Sequence, residues 1–343
     1  MTDTPPDATE SLDVSVALPP GRDTPALVAL AEELGFRRAW LYDSPALYHD
    51  VWMTLARAAD RTTRIGLGPA VLVPSLRHPM VNAAAVATLE ELAPGRVAVA
   101  LGAGFTGRHV LGQRAMRWAD VRAYVTVLRA LLRGEEAEWE GRPIRMIHPE
   151  GFGAARPIEV PILLGADGPM GTAAARDLAD GAFAAALPNT DPAIPWRALL
   201  QFGTVMEEGE APDDPRVIEA AGPAVAVAVH GLYERGGAAV VDGLPGGPAW
   251  RAQLEAIDER TRHIAVHEGH LVALSDRDRA ALADGLTGLI TGFTLSGTAA
   301  EVRGRVAAHA ASGVTEVAYQ PSASDAERDL RAFAAAVELP APG

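Results

Sequence analysis

Short apolar runs recur along the chain, and most are separated by stretches with helical spacing. Residues 13–18, 38–42, 64–74, 96–101, 160–164, 181–187, 221–230 and 314–319 read as strands. The runs at 64–74 and 96–101 are apolar on both faces, as parallel strands covered on both sides are. Helical patterns occupy 24–34, 51–60, 81–92, 118–133, 171–179, 194–208, 249–261, 276–289, 299–312 and 326–337, and Gly35, Gly134 and Gly313 are natural stops for three of them. Strand and helix alternate without a shift in composition. Repeated βα units imply a parallel sheet with right-handed crossovers, and eight such units close most economically into a barrel. The expected fold class is therefore α/β, a (β/α)8 TIM barrel with insertions, with an open doubly wound sheet as the competitor. Residues 1–12 are polar and Pro-rich, an expected disordered tail, and 13–343 read as a single barrel domain. Residues 135–158 break the rhythm: 138–143 reads as a hairpin and the rest as loop, an insertion. Residues 209–215 read as an acidic linker.

Candidate chemistry gathers where the strands end. The fourth run stops at Gly102-Ala-Gly-Phe-Thr-Gly107. This matches G-x-G-x-x-G, but no helix opens inside it and no acidic residue follows at a second strand's end, so a dinucleotide fingerprint is rejected. What remains is either a plain glycine turn or backbone contact with a planar ring, which glycine permits because no side chain intervenes. Gly165-Ala-Asp-Gly-Pro169 precedes a helix and reads as an anion site, with free N–H groups and the positive helix end facing a phosphate. An ordinary helix cap, with Asp167 as the capping side chain, is the alternative. Asp43 and Ser44 end the second strand and face either a ligand or the next helix. His230 ends the run read as strand seven, so it projects into the mouth or is a satisfied structural histidine. His49 reads as a surface histidine. His267-Glu-Gly-His270 has the wrong spacing for the zinc-protease motif and no evident third ligand, so no metal is assigned. Arg77-His78-Pro79 opens a helix, or steadies a loop at the site.

The totals remove several classes. The 343 residues contain no cysteine, which excludes disulfides, thiolate metal sites and cysteine nucleophiles. The formal charge of −14 has no basic block within it, so nucleic acid is not expected. No apolar run approaches the roughly 20 residues of a membrane span, and no targeting pattern opens the chain. A cytoplasmic protein is the expectation.

Several of these stretches occur together in one family. Trp40-Leu-Tyr-Asp-Ser44, residues 64–79 with their Arg-His-Pro ending, Val99-Ala-Leu-Gly-Ala-Gly104 and Pro161-Ile-Leu-Leu-Gly-Ala-Asp-Gly-Pro169 stand in an order and spacing that resembles the bacterial-luciferase-like superfamily. Asp180-Gly181, Gly297-Thr298 and residues 313–321 fit as well, so the likeness spans 13–337. The chain looks most like the deazaflavin branch that includes methylenetetrahydromethanopterin reductase. The resemblance implies a ring system lying across the carboxyl mouth of the barrel. It implies a non-proline cis peptide at Ala70–Val71, followed by Leu72, against the ring. It implies a phosphate on Gly165, Ala166 and Gly168, and cofactor contacts from Asp43, Gly102, Gly104, Phe105, Thr106 and Asp167. The implied activity is hydride transfer from reduced coenzyme F420 to a polarised C=C, C=N or C=O of a small or peptide-like substrate, with Ser44, His230 or water as the proton source. Use of FMN in a two-component monooxygenase is one alternative, and a non-catalytic barrel binding protein is another. Relatives are often homodimers, and a homodimer is expected here. Sugar-phosphate dehydrogenases of the superfamily carry histidine in place of Ser44 and glutamate in place of Phe105, so that reaction is not expected. Relatives often have Lys or Arg in place of Met170.

Overall fold

The computed structural model describes residues 12–149 and 151–340. Apart from Leu12, the expected tail lies outside them. Among the described residues ten strands follow in order: β1 Asp13–Leu18, β2 Arg38–Leu41, β3 Gly66–Pro69, β4 Val99–Leu101, β5 Ala137–Trp139, β6 Arg142–Ile144, β7 Ile162–Gly165, β8 Gly181–Ala184, β9 Trp196–Phe202 and β10 Glu316–Gln320. β5 and β6 form the antiparallel hairpin expected near 138–143. The other eight form one parallel sheet in the order β3-β2-β1-β10-β9-β8-β7-β4. Bridges Leu67 to Val97 and Leu72 to Leu101 join its two ends, so the sheet closes and the open-sheet competitor fails. The seam is close at Gly68, where a Cβ would stand 2.0 Å from the Ala98 carbonyl oxygen, so only glycine fits.

Two elements are exchanged relative to the sequence reading. Residues 194–208, expected as a helix, contain β9. Residues 221–230, expected as strand seven, lie inside the helix Pro215–Gly236. Trp196-Arg-Ala-Leu-Leu-Gln-Phe202 is rich in good helix formers, but it sits between β8 and β10 with both neighbours hydrogen-bonded, and context outweighs propensity. Alternating Ala and Val at 224–229 mimic a strand. Their real register is helical: Val217, Ala221, Val225 and Val229 make one buried stripe at four-residue spacing. The strand count came out at eight because one error cancelled the other.

Between β9 and β10 the described residues from 215 to 293 form helices joined by turns, with no strand, and have their own apolar cluster around Trp250, Leu254, Leu282 and Ile290. The main core lies between the barrel and its surrounding helices. Inside the barrel Trp40, Phe183 and Trp196 pack against small residues such as Ala98, Ala100 and Ala318. The amino-terminal end is closed by Glu316, fully buried, which accepts from Arg38 Nη1 at 2.9 Å, Trp40 Nε1 at 2.7 Å and Trp196 Nε1 at 2.6 Å.

Candidate functional site

The carboxyl mouth collects most of the expected residues. The Ala70–Val71 peptide is cis, as the resemblance implied. Val71 is half-buried, and its two methyl groups face the two glycines that end β4 and β7. A Cβ on Gly102 would stand 2.8 Å from one methyl, and a Cβ on Gly165 would stand 3.6 Å from the other. Gly104 is left-handed at φ +79°, and its neighbour is Val73. Gly107 fills the space between the Asp43 carbonyl, Val73 and the Ser44 hydroxyl, and so brings the loops after β2, β3 and β4 together. These residues form a shallow cradle with no side chains on two of its strand ends.

Asp43 is a buried carboxylate behind this cradle. Arg77 Nη1 lies 2.7 Å from both its oxygens, and Arg77 Nη2 reaches Asp50 at 2.9 Å. Burial pushes the Asp43 carboxyl up from its ordinary value, against the pull of Arg77. Burial also opposes the charge on Arg77, but the hydrogen bonds and charges of Asp43 and Asp50 outweigh it and raise its pKa. The Arg77 signal at the helix start was therefore a loop anchor. Asp43 holds that anchor and does not point free into the mouth. Ser44 is half-buried and stands at the cradle's edge. Two contacts had no sequence signal: Tyr42 donates to Gln320 across the mouth, and Tyr48 donates to the His270 carbonyl at 2.8 Å.

Other expected residues have different neighbours. The Leu72 side chain is fully buried in the layer between barrel and helices, so only its backbone belongs to the mouth. Ala166 is buried in the same layer. Phe105 packs on the His109 ring and under the Arg235 guanidinium. Thr106 Oγ1 lies 3.3 Å from His270 Nε2. Asp167 does not cap the following helix: its Oδ1 accepts from Ala185 N at 2.7 Å and Ala186 N at 2.9 Å, which fastens the loop after β8. The helix Pro169–Leu178 thus begins at Gly168 with no side-chain cap and no acidic residue in its first turn. Its Met170 and Gly171 N–H groups precede the first i→i−4 bond, and Met170 is exposed.

His230 is not at the mouth. It sits within the helix Pro215–Gly236, 1% exposed, with Nε2 3.0 Å from Asp278 Oδ1 and its ring stacked on Trp250. Burial favours the neutral acid at Asp278, but the His230 hydrogen bond outweighs it and holds the group at about 2. The His270 ring meets Thr106 at the mouth, and burial pushes it well below the ordinary histidine value. The turn 267–271 lies over the barrel, and Leu271 reaches into its inner apolar cluster.

The fold and this mouth match known proteins. The family model described as Luciferase-like monooxygenase matches residues 3–316. The chain belongs to that family. A 5,10-methylenetetrahydromethanopterin reductase from Archaeoglobus fulgidus is 27% identical over 324 residues, covering 89% of this chain and 91% of that one. An F420-dependent glucose-6-phosphate dehydrogenase from Nakamurella multipartita is 34% identical over 171 residues, 45% of this chain, and the match spans only 49% of that relative's length. The solved F420-dependent tetrahydromethanopterin reductase from Methanopyrus kandleri superposes with a TM-score of 0.63 at 21% identity, covering 94% of this chain and 98% of that one. These relatives are named as oxidoreductases. Among the described residues no helix is long and apolar enough to cross a membrane.

Proposed function

We propose that the barrel mouth binds the deazaflavin coenzyme F420, and that the chain is an oxidoreductase passing a hydride to a polarised double bond of a small or peptide-like substrate. The observation that carries this reading is the side-chain-free cradle on either side of Val71. Adding a Cβ at Gly102 would collide with Val71, and adding one at Gly165 would fill the remaining space. Such a floor suits a flat ring system. The uncapped start of the helix Pro169–Leu178 suits a phosphate, because its donors and its positive end are unopposed by any first-turn carboxylate. The names of the Archaeoglobus and Nakamurella relatives favour F420 as the group.

When bound, reduced F420 supplies the hydride. The chain's own task is to bind and orient. Val71, Gly102 and Gly165 define the plane on which a ring can rest, and the Arg77 bridge to Asp43 and Asp50 holds the loops behind it. Leu271 and the turn 267–271 lie over one side of the mouth. Ser44 is the hydroxyl placed to pass a proton at the edge of the cradle. His230, engaged by Asp278, drops out of that role. Oxidation of a sugar phosphate is disfavoured, since Ser44 and Phe105 stand where such relatives carry histidine and glutamate. A cytoplasmic homodimer completes the reading. The exposed Met53 and Val81, on the neighbouring helices Val51–Ala59 and Pro79–Leu92, offer a face for the second copy.

Equilibrium titration of the purified chain with F420 and with FMN tests the cofactor. Saturable binding of F420 with no comparable binding of FMN is expected. The reverse result would turn the reading into an FMN-dependent monooxygenase, in line with the monooxygenase activity in the family's description. Light scattering tests the dimer.

A further inference from the structure

The long helix and the turn above the mouth bring three histidines together. His230, His267 and His270 are 1%, 0% and 6% exposed. One ring nitrogen from each lies within 4.8 Å of the other two. On every ring Nε2 already has a neighbour: Asp278 Oδ1 at 3.0 Å from His230, Glu234 Oε1 at 2.9 Å from His267, and Thr106 Oγ1 at 3.3 Å from His270. On every ring Nδ1 is buried without a hydrogen-bond partner. A carboxylate only accepts, so Nε2 of His230 and of His267 carries a proton, and the unpartnered Nδ1 is the nitrogen left to offer a lone pair to a metal.

We propose that His230, His267 and His270 bind one divalent transition-metal ion of the zinc class through their Nδ1 atoms. Three neutral imidazoles suit zinc, cobalt, nickel or iron and are poor ligands for magnesium or calcium. Asp278 and Glu234 stand in the outer shell, where a carboxylate accepting from the far nitrogen fixes each ring's orientation and tautomer. Together they supply two negative charges against the ion's two positive ones. Asp278 is itself fixed, accepting from Trp250 Nε1 at 2.7 Å and Ser275 Oγ at 2.6 Å. His109, Glu234 and His267 also meet within ligand distance, but those atoms face each other: His109 Nδ1 and His267 Nε2 each lie 2.9 Å from Glu234. The ion has a structural role. It ties the helix Pro215–Gly236 to the turn 267–271, which touches the barrel through Tyr48 and Thr106. The site does not depend on which cofactor the mouth takes.

The test is cobalt(II) titration of the full chain after chelator treatment, read by visible d–d absorption, with zinc-dependent melting as a second readout. Wild type is expected to bind one equivalent per chain and to melt higher with zinc. His230→Gln, His267→Gln and His270→Gln should each weaken binding about 100-fold or more, beyond the 10–100-fold typical of outer-shell changes, while His109→Gln leaves it unchanged. Wild-type protein that shows neither a cobalt spectrum nor a zinc-dependent rise overturns the proposal without recourse to any variant. Loss of binding in His109→Gln with binding kept in His230→Gln overturns it too, by moving the ion to the other group.

Discussion

At the scale of single residues, two glycines separate binding from folding. A Cβ on Gly165 meets only ordinary contacts, 3.5 Å from the Gly102 Cα and 3.6 Å from Val71. Gly165→Ala should therefore fold with a melting temperature within a few degrees of wild type, and lose about tenfold or more in affinity for the ring, a change of about 1.4 kcal/mol. Gly102→Ala meets Val71 at 2.8 Å and must push it aside, so it should lose both affinity and about 1–3 kcal/mol of stability through overpacking. Paired dye-binding melts and cofactor titrations check both. If Gly165→Ala binds as wild type does, the cradle is not the ring's floor. Glycines at strand ends were visible in the sequence, as were Asp43 and Ser44. What could not be read was direction. Asp167 turned from the helix it precedes to the backbone of Ala185 and Ala186, a contact set by the neighbouring strand and not by local spacing. His230 could be read toward the mouth only because the stretch containing it resembled a strand; the other reading, a satisfied structural histidine, matches its buried contact with Asp278.

At the scale of elements, the barrel floor and one loop anchor make separable contributions. Glu316, the first residue of β10, ties together β2 and β9 through one guanidinium and two indoles, all fully buried. Removing one partner of a buried ion pair typically costs about 3–5 kcal/mol. Glu316→Ala should cost at least that in chemical denaturation, while any folded fraction keeps its cofactor affinity, because the floor is at the opposite end from the mouth. A loss of affinity matching the loss of stability would contradict that separation. Glu32 works differently. It is partly exposed and accepts from the backbone N–H groups of Thr63, Arg64 and Ile65, just before β3. Burial raises its pKa, but these three donors outweigh burial and leave it lowered. Its stabilisation is then full above the unfolded glutamate value of about 4.3 and is lost as pH falls through the lower folded value. Urea melts should show Glu32→Gln less stable than wild type near neutral pH, with the difference shrinking toward about pH 3. A difference that is constant with pH would mean that the carboxylate charge is not what holds the loop. The exchanged pair of elements belongs to this scale too. Local composition reported helix for β9 and strand for 221–230, and only the hydrogen-bonding neighbours of β9 and the four-residue stripe of the helix reverse the reading.

At the scale of the whole molecule, the eightfold alternation was legible because each barrel unit repeats the same physical problem of covering a parallel strand on both faces. The stretch from 215 to 293 was legible only in part: helices near 249–261 and 276–289 could be read, but the long helix at its start and the apolar cluster that lends the barrel a cover could not. Its contacts with the mouth are a specific handful, and one of them sets His109 Nδ1 2.9 Å from Glu234 Oε2. Tyr48 donates to the His270 carbonyl, Thr106 meets the His270 ring, Phe105 sits under Arg235, and Leu271 enters the inner cluster. Segments joined to a site by so few contacts open locally at low free energy, and a ligand that fills the site suppresses the opening in proportion to its affinity. Bound cofactor should therefore slow amide exchange not only in the barrel loops at 70–73 and 102–110 but also in the turn 267–272, with the outer helices at 238–255 unchanged. Hydrogen exchange with and without saturating cofactor measures this directly. Protection confined to the barrel loops would mean that the turn rests on the mouth without closing it, and that the substrate side is open to water when the ring is in place.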